Sequence, residues 1–300
     1  MENLLKNCSL CPRACGVDRT AGEVGFCGAT HRIKIARAAL HFWEEPCISG
    51  ESGSGTVFFS HCTLKCVYCQ NYSISTENKG RFVTTDELAD IFIHLQGLGA
   101  NNINLVTPTH YVPQIISAIK SARKRGLNIP ILYNTSGYET VETIRLLEGY
   151  VDIYLPDLKY YSDALSKKYS GAPGYSRYAL EAIREMLRQV GKCEFDENGI
   201  IKKGVIVRHL MLPVGYEDSK KIIQLLYEEF GDDIFISIMS QYTPLATIPD
   251  SFSELKKPIE MDDYDKLLDY AIDLGVENAF IQEGDSQSES FIPEFYDEEN

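Results

Sequence analysis

The sequence predicts an α/β chain built on a parallel sheet that closes fully or partly into a barrel. Three observations carry this. From Thr56 onward, short β-branched or apolar runs alternate with amphipathic helical stripes. Six strand–helix units in series form a parallel sheet by right-handed crossovers. The length of 300 residues accommodates such a barrel, which often needs only ~200–250 residues as one domain.

The strands expected, in order, are Thr56–Ser60, Asn102–Val106, Pro130–Asn134, Val151–Leu155, Gly204–Leu210 and Asp233–Ile238, with a weaker seventh at Asn278–Ile281. The first helix is announced by Thr84 and Glu87 at capping-box spacing, with Leu88, Ile91, Phe92 and Leu95 following on one face. Pro113 sits in the first turn of the next, which ends in Arg123, Lys124 and Arg125 before Gly126. Further stripes cover Val141–Leu147, Tyr178–Val190, Ile222–Phe230 and Tyr264–Leu274, and Glu197–Asn198–Gly199 is a tight turn before the fifth strand. Residues 1–50 lack any long amphipathic period and are rich in Cys and Gly. The chain is therefore expected to divide into a Cys-rich N-terminal extension (1–50), a barrel (51–285) and an acidic tail (286–300).

The net charge of −14 argues against a general nucleic-acid partner, which favours a basic face. Much of the excess lies near the end, in Glu283, Asp285, Glu289, Glu294, Asp297, Glu298 and Glu299, and reads as a solvated tail. No run of ~18 apolar residues offers a membrane span. The N-terminal Met1–Leu10 lacks the basic and apolar blocks of a secretory signal, so a cytoplasmic location is expected. In a reducing compartment nine cysteines point to metal binding or redox chemistry more than to disulfides. Seven fall into two tight groups, Cys8, Cys11, Cys15, Cys27 and Cys62, Cys66, Cys69, while Cys47 and Cys193 stand alone as buried thiols.

Directly after the first barrel strand comes His61-Cys62-Thr63-Leu64-Lys65-Cys66-Val67-Tyr68-Cys69, a C-x3-C-x2-C loop. Structural zinc sites and ordinary ferredoxin clusters use four protein ligands. Three thiolates on one loop leave one iron of a cube open to a small molecule. This loop, with the aromatic Tyr68 before its last cysteine, resembles the signature of the radical S-adenosylmethionine (SAM) superfamily. The fold implied is the (βα)6-type partial barrel of that superfamily with an N-terminal Cys-rich extension. The resemblance implies a [4Fe-4S] cluster on Cys62, Cys66 and Cys69. It also implies SAM chelated to the open iron and cleaved reductively to methionine and a 5′-deoxyadenosyl radical that abstracts hydrogen.

The resemblance runs over nearly the whole chain. It narrows to the PflX-like proteins related to pyruvate formate-lyase activating enzyme through Cys8-x2-Cys11-Pro12-Arg13-x-Cys15-Gly16, Glu45-Pro46-Cys47-Ile48-Ser49-Gly50 and Gln70-Asn71-Tyr72. Asn104–Tyr111, Arg208–Pro213 and Met239–Tyr242 carry it further. After the second strand, Thr107-Pro108-Thr109 replaces the Gly-Gly-Glu element with which many relatives hold the SAM ammonium. Thr107 and Thr109 keep hydroxyls there, but the formal charge is lost. Asn134-Thr135-Ser136-Gly137 resembles a turn near the SAM ribose, with Gly137 free for close backbone approach. Asp157-Leu158-Lys159 resembles the activating enzymes' Asp-x-Lys motif, its two charged residues on one side of an extended segment. Lys159 and Arg208 are the expected carboxylate ligands, Arg208 through its planar fork. Tyr68 and Tyr242 complete the expected cofactor-binding set, with Gln241 beside Tyr242 and His209 facing away from Arg208.

The other group, C-x2-C-x3-C-x11-C over Cys8, Cys11, Cys15 and Cys27, has the ligand count of a second metal site. Zinc and an iron–sulfur cluster fit it equally. The function expected is a radical SAM oxidoreductase of activating-enzyme type, whose target is a glycine of a partner protein, another peptide side chain or a small metabolite. It would draw electrons from a one-electron reductant such as flavodoxin or ferredoxin. The alternative class is a non-catalytic iron–sulfur electron carrier, which would not need the charged residues of the rim.

Overall fold

The computed structural model describes residues 3–281 and Phe295. Ten strands occur among them: β1 Ile33–His41, β2 Ser54–Phe59, β3 Arg81–Val83, β4 Ile103–Val106, β5 Ile131–Thr135, β6 Ile153–Pro156, β7 Glu194–Phe195, β8 Ile201–Leu210, β9 Phe235–Met239 and β10 Ala279–Ile281. They form one sheet ordered β10-β9-β8-β6-β5-β4-β2-β1-β3, with β7 pairing β8 alone. Pairing is parallel from β2 through β4, β5, β6, β8 and β9 to β10. The sheet is open, so the expected partial barrel is what the chain forms. The acidic tail lies, apart from Phe295, outside the described residues.

The central parallel strands β2, β4, β5 and β6 are buried along their whole length, as expected of a parallel sheet covered on both faces. Helices cover the outside. Thr84 and Glu87 cap each other's backbone N–H at 2.6 and 3.2 Å, and the helix Thr85–Gly97 buries Leu88, Phe92 and Leu95. Val112–Lys124 takes Pro113 in its first turn. Tyr175–Val190, Tyr216–Phe230 and Met261–Leu274 each begin three to six residues earlier than their apolar stripes indicate. Their first turns carry polar residues such as Ser176, Arg177, Glu217, Asp218, Asp262 and Asp263, which break the apolar stripe.

The N-terminal segment departs from expectation. Residues 33–41, where no strand is expected, form one that pairs antiparallel with β2 on one edge and with β3 on the other. Its first four residues are buried and its last five only partly, so it shows neither strict alternation nor a fully apolar run. The loop that leaves it carries Trp43 and Glu44 to the inside of the sheet, where they join residues of β8 and β9 around one cavity.

Candidate functional site

The C-terminal ends of the parallel strands converge on a cavity of about 1300 Å3, its open mouth included. Cys62, Cys66 and Cys69 all line it, with Tyr68 and Gln70 from the same loop. Around the rim stand Thr107 after β4, Asn134, Thr135 and Ser136 at the end of β5, Asp157 and Lys159 after β6, Arg208 on β8, and Met239 and Gln241 after β9. Strand ends gather these residues because parallel strands with right-handed crossovers put all C-termini on one side.

The cysteine loop is held tightly. Leu64 N–H donates to Cys62 Sγ at 3.3 Å, the Ser170 hydroxyl to Cys66 Sγ at 2.9 Å and the Ser75 hydroxyl to Cys69 Sγ at 3.4 Å. The backbone is in the left-handed region at His61 (φ 76°) and Lys65 (φ 55°), and again at Thr107 (φ 58°) on the facing rim. A β-branched residue such as Thr107 adopts this region only when its surroundings force it, and such strain gathers at functional sites. Burial pushes the Cys69 thiol up to about 12 and raises that of Cys62, so both are protonated at neutral pH. Metal binding there must displace protons. Among the described residues no group of three or more His, Cys, Asp or Glu side chains is set, as it stands, to hold a metal ion.

The charged residues form one network. Lys159 Nζ donates to Asp157 Oδ2 at 2.6 Å, and Arg208 Nε donates to Asp157 Oδ1 at 3.1 Å. Arg208 also reaches Glu44 Oε2 at 3.1 Å and Asn134 Oδ1 at 2.6 Å. Burial raises the Asp157 carboxyl, but Lys159 and Arg208 outweigh it and hold the group below the usual carboxylate range. Burial likewise works against the charge on Lys159, and Asp157 overcomes it, raising the amine. Both stay ionised at neutral pH. Arg208, expected as an open fork for a carboxylate, thus already has two carboxylates and an amide. Among the described residues the Lys159 amine has one partner, Asp157, and it lines the cavity with the thiols.

Glu44 is the residue that sequence reasoning missed. It accepts from Asn104 Nδ2 at 2.9 Å on β4 as well as from Arg208 on β8, and so brings a carboxylate into the cavity. Its only signal in the sequence was its position just before Glu45-Pro46. Tyr175 was missed too: its hydroxyl accepts from Lys159 N–H at 2.9 Å and lies 2.7 and 2.9 Å from the Ser136 and Asp157 carbonyls.

Two expected contacts lie outside the cavity lining. Thr109 falls in a short 3-10 turn, fully buried, and donates to Glu139 Oε1 at 2.6 Å. Tyr242 is buried with its hydroxyl on Leu255 O at 2.5 Å. Thr135 lines the cavity, yet its hydroxyl also donates to Glu139. Glu139 therefore ties the turns after β4 and β5 together, and burial, only partly offset by these hydroxyls and Tyr133, pushes it up to about 7. The freedom of Gly137 (φ +77°) serves packing, since a Cβ there would meet the Asp157 carbonyl at 2.2 Å. His209 is structural, bonded to Leu158 O and Ser219 Oγ at 2.8 Å each.

An open parallel barrel here sets three loop thiols and a charged rim around one cavity. The chain belongs to the radical SAM superfamily, whose family model matches residues 56–226. An uncharacterized protein of Methanocaldococcus jannaschii is 30% identical over 281 residues, covering 87% of this chain and 75% of its own. Among solved structures, Streptococcus suis SuiB bound to S-adenosylmethionine superposes with a TM-score of 0.50 at 16% identity, over 74% of this chain and 48% of that one. The FeFe-hydrogenase maturase HydG from Carboxydothermus hydrogenoformans gives 0.51 at 14%, over 74% and 52%. The chain thus spans about half the length of these structures, and they bear on its fold. The superfamily implies a [4Fe-4S] cluster and SAM. The donor set fits, with three buried-loop thiols, each sulfur already accepting a hydrogen bond. Among the described residues no helix is long and apolar enough to cross a membrane.

Proposed function

We propose that Cys62, Cys66 and Cys69 hold a [4Fe-4S] cluster and that the cavity beside them binds SAM. The observation that carries this is the sharing of one cavity by the three thiols, Lys159 and the ends of β4, β5, β6, β8 and β9. When bound, the cluster supplies the electron that cleaves SAM to methionine and a 5′-deoxyadenosyl radical.

The protein's own residues position the cofactor. Lys159 is placed to take the SAM carboxylate, with Asp157 orienting it at 2.6 Å. Arg208 is a positioning residue that fixes Asp157, Asn134 and Glu44 relative to one another. Glu44 supplies the negative charge lacking in Thr107-Pro108-Thr109, and the Asn134–Ser136 turn offers polar groups to the ribose.

We take the reaction to be hydrogen abstraction from a glycine of a partner protein, in the manner of the pyruvate formate-lyase activating enzymes. The extended motif resemblance to the PflX-like group supports it. The cavity is open at its mouth, which leaves an approach for a second reactant. Trp43 lines that cavity while 66% exposed, as suits a wall shared with an incoming peptide segment. A one-electron reductant of flavodoxin or ferredoxin type is the implied partner.

The test is the electron paramagnetic resonance spectrum of the anaerobically reduced protein. Addition of SAM is expected to change the cluster signal, and Cys69→Ala to abolish that SAM-dependent change. A signal that is indifferent to SAM would remove the cavity from cofactor binding.

A further inference from the structure

The radical SAM reading leaves six of the nine cysteines unused, and four of them line one cavity. Cys8, Cys11, Cys15 and Cys27 line a single cavity of about 350 Å3, separate from the one just described. All four are free thiols. Gly25 makes room for one of them, since a Cβ there would lie 2.7 Å from Cys15 Sγ. Phe26 N–H donates to that sulfur at 3.4 Å, and Arg19 Nη1 approaches Cys8 Sγ at 3.9 Å.

Independent observations show what the cavity lacks. His110 and Thr63 also line it, both almost wholly buried, and among the described residues His110 Nδ1 and Thr63 Oγ1 have no hydrogen-bond partner. More telling are two arginines in the same wall. Arg19 is 1% exposed, and besides Cys8 it donates only to the carbonyls of Ala29, Thr30 and His110, at 3.1, 2.6 and 2.6 Å. Arg13 donates to the carbonyls of Thr63 and Ser170 at 3.0 Å each, and to that of Gly171. Among the described residues neither meets a carboxylate. A buried guanidinium without an anion, as at Arg19, is costly, while Arg13 is only partly buried.

We propose that Cys8, Cys11, Cys15 and Cys27 form a second metal site, a tetrathiolate centre whose negative charge partners Arg13 and Arg19. Four thiolates around zinc, or around an oxidised [4Fe-4S] cube, are both dianionic, which matches the two cations. No side chain of the quartet is needed for the first cluster, so the site stands whether or not SAM chemistry is correct. Thr63 belongs to both regions, following Cys62 directly while its carbonyl accepts from Arg13. Arg13 also holds the carbonyl of Ser170, whose hydroxyl donates to Cys66 Sγ. A metal in the quartet therefore fixes the wall against which the cysteine loop rests.

The test uses the full chain, prepared anaerobically with iron and sulfide or with zinc. The Cys62→Ala/Cys66→Ala/Cys69→Ala variant is expected to retain about four irons with sulfide, or about one zinc, per chain. Iron with sulfide identifies a cluster and zinc a mononuclear site; either supports the proposal. Background levels of both in the folded variant would overturn it. Should that variant not fold, the unaltered protein decides. About eight irons, or about four with one zinc, supports a second site, and about four irons with no zinc overturns it. Cys11→Ser/Cys27→Ser should then speed hydrogen exchange across residues 61–69 at least about tenfold, reflecting local opening. Unchanged exchange after loss of that metal would overturn the loop-fixing role.

Discussion

Arg208 and Lys159 look alike in the sequence, two cations on one rim, but the structure assigns them different work. Arg208 is 16% exposed in its side chain and holds two carboxylates, Asp157 and Glu44, each at 3.1 Å, plus Asn134. Replacing it by alanine leaves the buried Glu44 carboxylate with only the amides of Asn104 and Asn134 among the described side chains, while Lys159 still covers Asp157. Breaking one side of a buried ion pair costs about 3–5 kcal/mol. At about 2–4 °C per kcal/mol for a chain of this class, Arg208→Ala should lower Tm by about 6–20 °C. The paired substitution Arg208→Met/Glu44→Met should recover much of that loss, because a buried ion pair exchanged for apolar side chains is close to neutral. Lys159→Ala has the opposite profile. Arg208 remains on Asp157, so stability falls by only about 1 kcal/mol, whereas a lost charge-assisted bond to SAM weakens binding roughly ten- to a hundredfold. Thermal unfolding and a SAM titration of the reduced cluster signal, run on the same preparations, separate the two effects. A stable Arg208→Ala that loses SAM affinity, beside a Lys159→Ala that keeps it, would refute this division of roles.

Three further outcomes follow from single contacts. Glu139, pushed up from 4.5 to about 7, keeps its proton in the folded state where the unfolded chain has lost it, so stability should fall as pH rises from about 4.5 to 7 by about 3 kcal/mol. Glu139→Gln should flatten that slope in urea unfolding, and an equal slope in both proteins would contradict it. Ser170→Ala removes the hydroxyl 2.9 Å from Cys66 Sγ; a redox titration should show a more negative cluster potential at unchanged iron content, and an unmoved potential would sever Ser170 from the cluster. Gly137→Ala forces an L-residue to φ +77° against the Asp157 carbonyl, costing at least about 1–2 kcal/mol in unfolding experiments, and a neutral result would refute the contact.

Most of the barrel was legible because its strands are buried on both faces and its helices carry local signals. Val57, Leu105, Tyr133 and Leu155 sit within apolar runs that flank loops, and Thr84 with Glu87 is a reciprocal cap readable from spacing alone. β1 was not legible, because half its length faces partly to solvent and its partners β2 and β3 lie far along the chain. The same limit governs the site. The cysteine loop is a local pattern, whereas Glu44 and Arg208 are 164 residues apart and meet only because the loop after β1 turns inside the sheet. Thr109 and Tyr242 were placed at the cavity by their nearness in sequence to strand ends. A 3-10 turn and a buried hydroxyl bond turn them elsewhere. Charge type was readable at Asp157, Lys159 and Arg208; which cation was already satisfied was not.

The central claim is that the loop thiols and the cavity beside them together perform reductive cleavage of SAM. It is tested most directly by incubating the anaerobically reconstituted protein with SAM and dithionite and measuring 5′-deoxyadenosine by mass spectrometry. 5′-Deoxyadenosine and methionine are expected in equal amounts from the intact protein, and 5′-deoxyadenosine not above background from Cys62→Ala, Cys66→Ala or Cys69→Ala. A reconstituted, SAM-binding protein that forms no 5′-deoxyadenosine, or a Cys66→Ala variant that forms as much as the intact chain, would contradict it.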